Sequence, residues 1–352
     1  MKREADDLYK SCTYIERFHM NFNGINSKRS DNEFRGSIEF CCLSLTPGIL
    51  LENSGEDSIK RIIQKRNEIK EKGKKGLKDN KCSNLSCVEC PFYHPMKETS
   101  DGLVHFVNLN MYPAPCQSKC IYCGVHKGEY GKWNPEIHRK CYDNMFSALE
   151  WACKNKIIAS DALWQAASGE ITIHPYKEKI YEMMKNKNAK FLTNCFIYDE
   201  GLAEILSNNA NASINLSIDS GTAETWRKVK GIDNFNTVIK NLMDYSKKCI
   251  YPEQITLKYI LLPGINDNLQ DYKFVISIMK KLKITKIILS RDNRFRYEKM
   301  IMEHSNHNNA RKCGTKQNKT DKAMQVFKSI LNKENMYAEK GDFWPDEEKV
   351  LL

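Results

Sequence analysis

Short apolar runs alternate with longer amphipathic stretches along the chain from about residue 103 onward. Strict alternation of apolar and polar positions predicts strands, and apolar positions three and four residues apart predict helices. The predicted strands are Val104–Leu109, Leu163–Ala167, Lys190–Asn194, Ala212–Ile218, Gln254–Leu262 and Lys286–Ser290. The predicted helices are Asn144–Lys154, Tyr176–Lys185, Asp199–Ser207, Ala223–Lys247 and Asn268–Leu282. Because strands and helices alternate, the pattern predicts an α/β fold with parallel strands and right-handed crossovers.

The repeated strand and helix units predict a partial (β/α)6 barrel, similar to an incomplete TIM barrel. In barrels of this kind, functional residues gather on loops at the C-terminal ends of the strands. The 352-residue length leaves room for more than the barrel. We predict a cysteine-rich segment over residues 1–98, the barrel over 99–295 and a helical extension over 296–352.

Composition narrows the class of protein. No apolar run approaches the ~20 residues of a membrane span, and the first residues lack the apolar stretch of a signal peptide, so a cytoplasmic protein is expected. Fourteen cysteines in a reducing compartment indicate metal ligation rather than disulfides. Much of the +11 net charge lies between Lys60 and Lys81 on a predicted exposed helix, so nucleic acid is not the expected partner.

Three cysteines with C-x3-C-x2-C spacing, Cys116, Cys120 and Cys123, form the most informative motif. Three thiolates on one loop can hold three corners of a [4Fe-4S] cluster and leave the fourth iron open to a small molecule. A structural zinc site favours paired ligands in a closed tetrahedron. The spacing therefore favours an iron–sulfur cluster over zinc.

The triplet, with Tyr122 before its last cysteine, resembles the signature loop of the radical S-adenosylmethionine (radical SAM) superfamily. The resemblance implies that SAM binds the open iron and that an electron from the cluster splits it into methionine and a 5′-deoxyadenosyl radical. It also implies a reductant such as flavodoxin or ferredoxin. Tyr122 is expected beside the adenine of SAM.

Two further segments resemble SAM-binding parts of the superfamily. Ser168-Gly169-Glu170 is similar to its Gly-Gly-Glu motif, with Ser in place of the first Gly, which implies contact with the methionine amino group. The segment from Leu216 to Thr222 is similar to the region that meets the ribose and carboxylate, which implies Ser217 and Asp219 as contacts. Asp219 or Ser220 could instead cap the next helix.

A fifth-strand region, with Lys258 and Gly264, resembles the part of the superfamily that lies near adenine. The Pro-Gly pair is also ordinary turn chemistry before a helix. These two residues are therefore supporting candidates.

Close thiols also precede the predicted barrel, and their layout resembles the auxiliary-cluster segment called SPASM, placed here ahead of the barrel. The expected ligands of an auxiliary [4Fe-4S] cluster are Cys42, Cys82, Cys87 and Cys90, with Cys12 or Cys41 as exchange members. Zinc bound by the same thiolates is the alternative.

The resemblance implies an oxygen-sensitive enzyme that abstracts hydrogen from a substrate. We favour a carbohydrate or nucleotide-sugar intermediate, with a peptide-modifying maturase as the alternative. An alternative of another class is a non-catalytic, cysteine-rich zinc or RNA-binding protein.

Overall fold

A computed structural model describes residues 8–24, 36–40, 48–79, 94–124, 126–127, 133–167, 169–292 and 310–340. The chain divides into two compact units. Unit 1 comprises residues 1–115, 128–169 and 187–189, and unit 2 comprises residues 116–127, 170–186 and 190–352.

The described residues of unit 1 form two groups of strands and three helices. Its strands are β1 (Leu8–Ser11), β2 (His19–Asn23), β3 (Ser37–Glu39), β4 (Ile49–Leu50), β5 (His94–Lys97), β6 (Val104–Asn110) and β7 (Ile158–Ala166). Its helices are α1 (Thr13–Glu16), α2 (Gly55–Asp79) and α3 (Pro135–Lys154). The larger sheet has the order β7-β6-β2-β3-β4, with β2, β6 and β7 parallel, and β1 pairs separately with β5 in antiparallel register.

Unit 2 contains the remaining strands and helices. Its strands are β8 (Asn188–Thr193), whose first two residues fall in unit 1, β9 (Ala212–Ser217), β10 (Ile255–Leu261), β11 (Lys286–Arg291) and β12 (Tyr337–Lys340). Its helices are α4 (Lys177–Met184), α5 (Glu200–Asn208), α6 (Ala223–Lys230), α7 (Phe235–Lys248), α8 (Leu269–Leu282) and α9 (Ala310–Lys333), with 3-10 turns at Ile171–Ile173 and Pro252–Gln254. The strand order is β8-β9-β10-β11-β12, and β9 to β12 pair in parallel.

Helix starts in unit 2 follow the capping chemistry of the sequence. The Asp199 carboxylate accepts a hydrogen bond from the Leu202 N–H at 2.9 Å at the start of α5. Asn268 caps α8 in the same way through the Asp271 N–H at 3.0 Å. Side chains of this type satisfy N–H groups that have no partner within the helix.

The predicted single helix Ala223–Lys247 is wrong, because the chain forms α6 and α7 with a break between them. Gly231 ends α6 in a left-handed conformation with φ of 68°. Glycine adopts this conformation without the steric cost that other residues meet. The break matters because the C-terminal end of α6 holds part of the candidate site.

Strands and helices in the described residues form an α/β fold with mostly parallel strands, as the pattern predicts. Inward-facing residues of the unit 2 strands are fully buried, such as Ile214, Leu216, Leu257 and Ile287. Closure into a partial barrel stays a prediction. Within the part of the chain that is described, no helix is long and apolar enough to cross a membrane.

Candidate active site

The loop that carries the three cysteines follows β6 in sequence and is anchored to the C-terminal end of α6. The backbone N–H groups of Lys119 and Ile121 donate to the carbonyls of Lys230 and Val229, at 2.8 and 3.0 Å. A Cβ at Gly231 would lie 2.8 Å from the Lys119 Cβ. The last carbonyls of a helix have no partner within it, so the loop completes the end of α6.

Each of two cysteines in the loop has a polar neighbour directed at its sulfur. The Asn194 Nδ2 donates to Cys116 Sγ at 3.8 Å, and Ser118 Oγ lies 3.0 Å from Cys120 Sγ. The Cys123 N–H donates to the Cys120 carbonyl at 3.0 Å and closes the turn between them. Hydrogen bonds of this kind orient thiolate ligands and tune the group they hold.

The three thiols lie near enough to influence one another electrostatically. Cys116 keeps surface exposed, yet the surrounding protein displaces enough water to raise the pKa of its thiol to about 12. The Ser118 N–H opposes this shift, and negative charge on Glu170, Cys120 and Cys123 adds to it. Such thiols are poor anions by themselves and favour a ligand that removes their negative charge.

The three thiols of the loop can be compared with the ligands of a single metal ion and with those of an iron–sulfur cluster. Among the described residues, no group of three or more His, Cys, Asp or Glu side chains converges as the ligands of one ion do. A cubane binds each thiolate at a different iron, so its ligands surround a volume rather than a point. The Gln117 Nε2 is buried without a hydrogen-bond partner and offers a further donor in the same loop.

Glu170 is fully buried beside this loop, and neutral donors surround its carboxylate. Oε1 accepts hydrogen bonds from the Thr172 N–H at 3.1 Å, the Thr172 hydroxyl at 2.8 Å and the Thr193 hydroxyl at 2.7 Å. Oε2 accepts from the Asn194 N–H at 2.6 Å. Burial raises the pKa of Glu170, and these donors partly offset the shift. Glu170 thus fixes Asn194, which in turn contacts Cys116.

Asp219, Tyr122 and Lys230 form a second buried network, which we call the buried triad. Asp219 Oδ2 accepts hydrogen bonds from the Tyr122 hydroxyl at 2.6 Å and from Lys230 Nζ at 2.5 Å. Lys230 Nζ also donates to the Tyr122 hydroxyl at 2.7 Å. Asp219 Oδ1 accepts from the Ile260 N–H at 2.6 Å, so the network links the cysteine loop, the end of β9 and β10.

The burial and the neighbours of Tyr122 and Lys230 shift the pKa values of both side chains. Burial raises the pKa of the Tyr122 hydroxyl well above its ordinary value, so it stays a neutral donor. Burial alone would lower the pKa of Lys230, but the Asp219 carboxylate raises it overall. The Tyr122 ring packs against Val229, Ile260 and Leu262 and points its hydroxyl inward. Thr222, rather than Asp219 or Ser220, caps α6 through the Thr225 N–H.

Ser217, Lys258 and Gly264 lie at β9 and β10 of unit 2. Ser217 is the last residue of β9 and pairs in register with Lys258 of β10; both are half-buried. Gly264 has φ of 81°, and a Cβ there would have no atom within 4 Å. Parallel strands place their C-terminal ends at one edge, so these residues share the edge that carries Asp219.

The remaining candidates are placed elsewhere or lie outside the described residues. Gly169 has φ of 55°, and a Cβ there would lie 2.4 Å from the Pro115 carbonyl oxygen, just before Cys116. Cys12 is half-buried at the start of α1 in unit 1. The candidates outside the described residues are Ser168, Cys41, Cys42, Cys82, Cys87 and Cys90.

Sequence reasoning did not single out Asn194 or Lys230. Asn194 ends a predicted strand, so the rule that functional residues follow strands would have found it. Lys230 gave no such signal, because a lysine in the last turn of a helix usually lies in solvent.

With this geometry established, comparison with known proteins identifies the domain. Residues 114–275 match the Radical SAM superfamily. This part of the chain therefore resembles a radical SAM domain. The match begins two residues before Cys116 and includes the buried triad and Glu170. The match to this superfamily supports the interpretation of the protein as an enzyme that uses SAM and a SAM-binding [4Fe-4S] cluster.

Individual relatives of the radical SAM domain are distant. A UPF0026 protein from Helicobacter pylori is 22% identical over 190 residues, which cover 52% of this chain and 60% of that protein. The chain thus spans about 60% of the length of this curated relative. SuiB from Streptococcus suis, bound to precursor peptide SuiA, is similar at 12% identity with a TM-score of 0.46, over 96% of this chain and 72% of SuiB. A radical SAM methyltransferase from Sphaerobacter thermophilus is similar at 11% identity with a TM-score of 0.40, over 64% and 63% of the two chains.

Proposed function

We propose that the protein is a radical SAM enzyme in which Cys116, Cys120 and Cys123 hold a [4Fe-4S] cluster. The observation that carries the proposal is the placement of these three thiols on one anchored loop within the radical SAM domain. When bound, the cluster supplies the electron that cleaves SAM and so starts hydrogen abstraction from a substrate. Asn194 and Ser118 orient two of the thiols for this ligand.

Glu170 and Asp219 act in this proposal by positioning other groups. Both carboxylates are fully enclosed by hydrogen-bond donors, so little of either is left to contact a ligand. The Glu170 side chain accepts hydrogen bonds from Thr172, Thr193 and Asn194 and so holds the segment around the Asn194 side chain. Asp219 holds Tyr122 and the end of β9 in register.

Ser217, Lys258 and Gly264 are the proposed contacts of SAM on the neighbouring strands. A hydroxyl suits the ribose because it both donates and accepts hydrogen bonds. Ser217→Ala should therefore weaken SAM binding to the reconstituted protein while iron content stays unchanged, as measured by equilibrium dialysis. Ser277→Ala, at an exposed position of α8, is the matched control. Equal affinities in the two variants would remove Ser217 from the SAM site.

Replacement of Cys116, Cys120 and Cys123 by Ala tests the main proposal. The anaerobically reconstituted wild type should contain iron and sulfide and form 5′-deoxyadenosine from SAM after reduction. The triple variant should form none and should lose the EPR signal that SAM perturbs. Cys153→Ala, a cysteine of α3 outside the loop, should keep both. Retained 5′-deoxyadenosine in the triple variant, or a colourless zinc-containing wild type, would refute the proposal.

An auxiliary [4Fe-4S] cluster held by Cys42, Cys82, Cys87 and Cys90, or with Cys12, is the second part of the proposal. Replacing Cys82, Cys87 and Cys90 should remove one cluster of iron and sulfide, and loss of zinc instead would identify the alternative metal.

The substrate class is proposed as a carbohydrate or nucleotide sugar, with a peptide as the alternative. Ferredoxin or flavodoxin is the proposed reductant. Nucleotide sugars and unmodified peptides can be compared by the amount of 5′-deoxyadenosine formed per cluster. A stimulation by peptides alone would select the alternative.

A further inference from the structure

Three basic residues occupy the last turn of α6, and only one turns into the protein. Arg227 pairs with Asp233, and Lys228 pairs with Glu224, and both side chains are more than half exposed. Lys230 is 2% exposed. Its ammonium lies within the buried triad and close enough to Cys120 and Cys116 to interact with their charge.

The positive charge of Lys230 lies where negative charge accumulates beside the cysteine loop. The loop is bonded to the C-terminal end of α6, where the helix dipole carries a partial negative charge of about half an elementary charge. Thiolates gathered at that end add negative charge. The Lys230 ammonium is close enough to these groups for its positive charge to oppose their negative charge. The partner carboxylate of Asp219 faces β10 through its Oδ1, and its Oδ2 faces the ammonium.

We infer that Lys230 is a positioning residue of the radical SAM loop and that its buried positive charge raises the reduction potential of the cluster held there. The inference rests on the proposed function. Positive charge near a cluster stabilises the reduced form, which carries one more electron, and cluster potentials depend on nearby charge. Lys230 also fixes the Tyr122 hydroxyl, so the same side chain sets the place of the loop.

The test is an EPR-monitored redox titration of reconstituted proteins without SAM. Lys230→Met combined with Asp219→Asn removes both charges, so no carboxylate is left buried alone, and its midpoint potential should shift to a lower value than that of the wild type. The single variant Lys230→Arg keeps the positive charge and should therefore have the wild-type potential. Asp219→Asn alone keeps the ammonium and removes the opposing charge, so its potential should rise. Lys228→Met is the matched control and should not change the potential.

An unchanged potential in the double variant would overturn the inference. If that variant fails to fold or load its cluster, an unchanged or lowered potential in Asp219→Asn would overturn it in the same way. A wild type that forms no [4Fe-4S] cluster would refute the proposed function itself. A wild type that forms the cluster while its variants share one potential refutes only the role of Lys230.

Discussion

Two regions beside the cysteine loop each contain a fully buried carboxylate, and they stabilise it in opposite ways. In the region after β7, Glu170 accepts hydrogen bonds from neutral hydroxyl and backbone groups. In the region after β9, Asp219 forms an ion pair with Lys230. The Glu170 carboxylate has only neutral groups as donors, whereas Asp219 has a buried ammonium as its partner. The same loop is thus held by a polar region and by an ionic one.

A left-handed glycine near each of the two carboxylates also lies close to a residue near the cysteines. Gly169 approaches Pro115, which precedes Cys116, and Gly231 approaches Lys119 within the loop. A Cβ has no room at either place, so each glycine lies directly against its neighbour. The predictions below compare how much each region contributes.

The largest effect is expected from Asp219→Ala. This change leaves the Lys230 ammonium buried without its carboxylate, and breaking a buried ion pair costs about 3–5 kcal/mol of unfolding free energy. Urea unfolding of the apoprotein measures the loss. Asp219→Asn retains the shape and should cost less. If Asp219→Ala cost less than Glu170→Gln, the ionic region would not be the stronger support.

Gly169→Ala is expected to have the next largest effect. A left-handed alanine costs about 1–2 kcal/mol, and contact with the Pro115 carbonyl adds an overpacking cost of about 1–3 kcal/mol. Gly102→Ala is the matched control, because Gly102 has φ of 85° and no atom within 4 Å of a Cβ. Equal losses for the two variants in thermal unfolding would show that Pro115 moves to make room for the added Cβ.

Glu170→Gln should cost about 1–3 kcal/mol, because the amide NH2 faces donors and leaves at least one of them unsatisfied. The measurement is urea unfolding at pH 7. Thr193→Val, which removes one of the four donors, should cost less, about 1 kcal/mol. A larger loss for Thr193→Val would mean that the Glu170 carboxylate is not the centre of the polar region.

The smallest expected effect is a pH dependence of that cost. Burial raises the pKa of Glu170 above its ordinary 4.5, so the folded protein binds this proton more tightly than the unfolded chain. The stability that Glu170 contributes is then fully present below pH 4.5 and falls as the pH rises towards the raised pKa. The difference in unfolding free energy between wild type and Glu170→Gln should be larger at pH 4.5 than at pH 7. A difference that does not change with pH would contradict this.

Local patterns predicted the strands and helices of unit 2 well. The predicted strand Ala212–Ile218 is confirmed as β9, and the predicted start of α8 at Asn268 is confirmed by its cap. The break at Gly231 could also have been predicted from the local sequence, since glycine is common after the last turn of a helix. The strand β2, with buried Met20 and Phe22, was missed, because its stability depends on pairing with β6 far along the chain.

The site divides in the same way. The cysteine spacing predicted the loop, because a chelating motif is local in sequence. The inward turn of Lys230 could not be predicted, because neighbouring Lys228 is the same residue type on the same helix and lies in solvent. Only the meeting of α6 with the loop and with Asp219 distinguishes the two lysines.

The two backbone hydrogen bonds from Lys119 and Ile121 to the end of α6 have a consequence for maturation of the protein. Both bonds join backbone groups of the chain itself, so they couple the order of this loop to the folding of α6. The entropy cost of ordering belongs to folding, and little of it remains when iron and sulfide are inserted. Slow hydrogen exchange at these two amides in the apoprotein would identify the loop as a preformed template for cluster assembly.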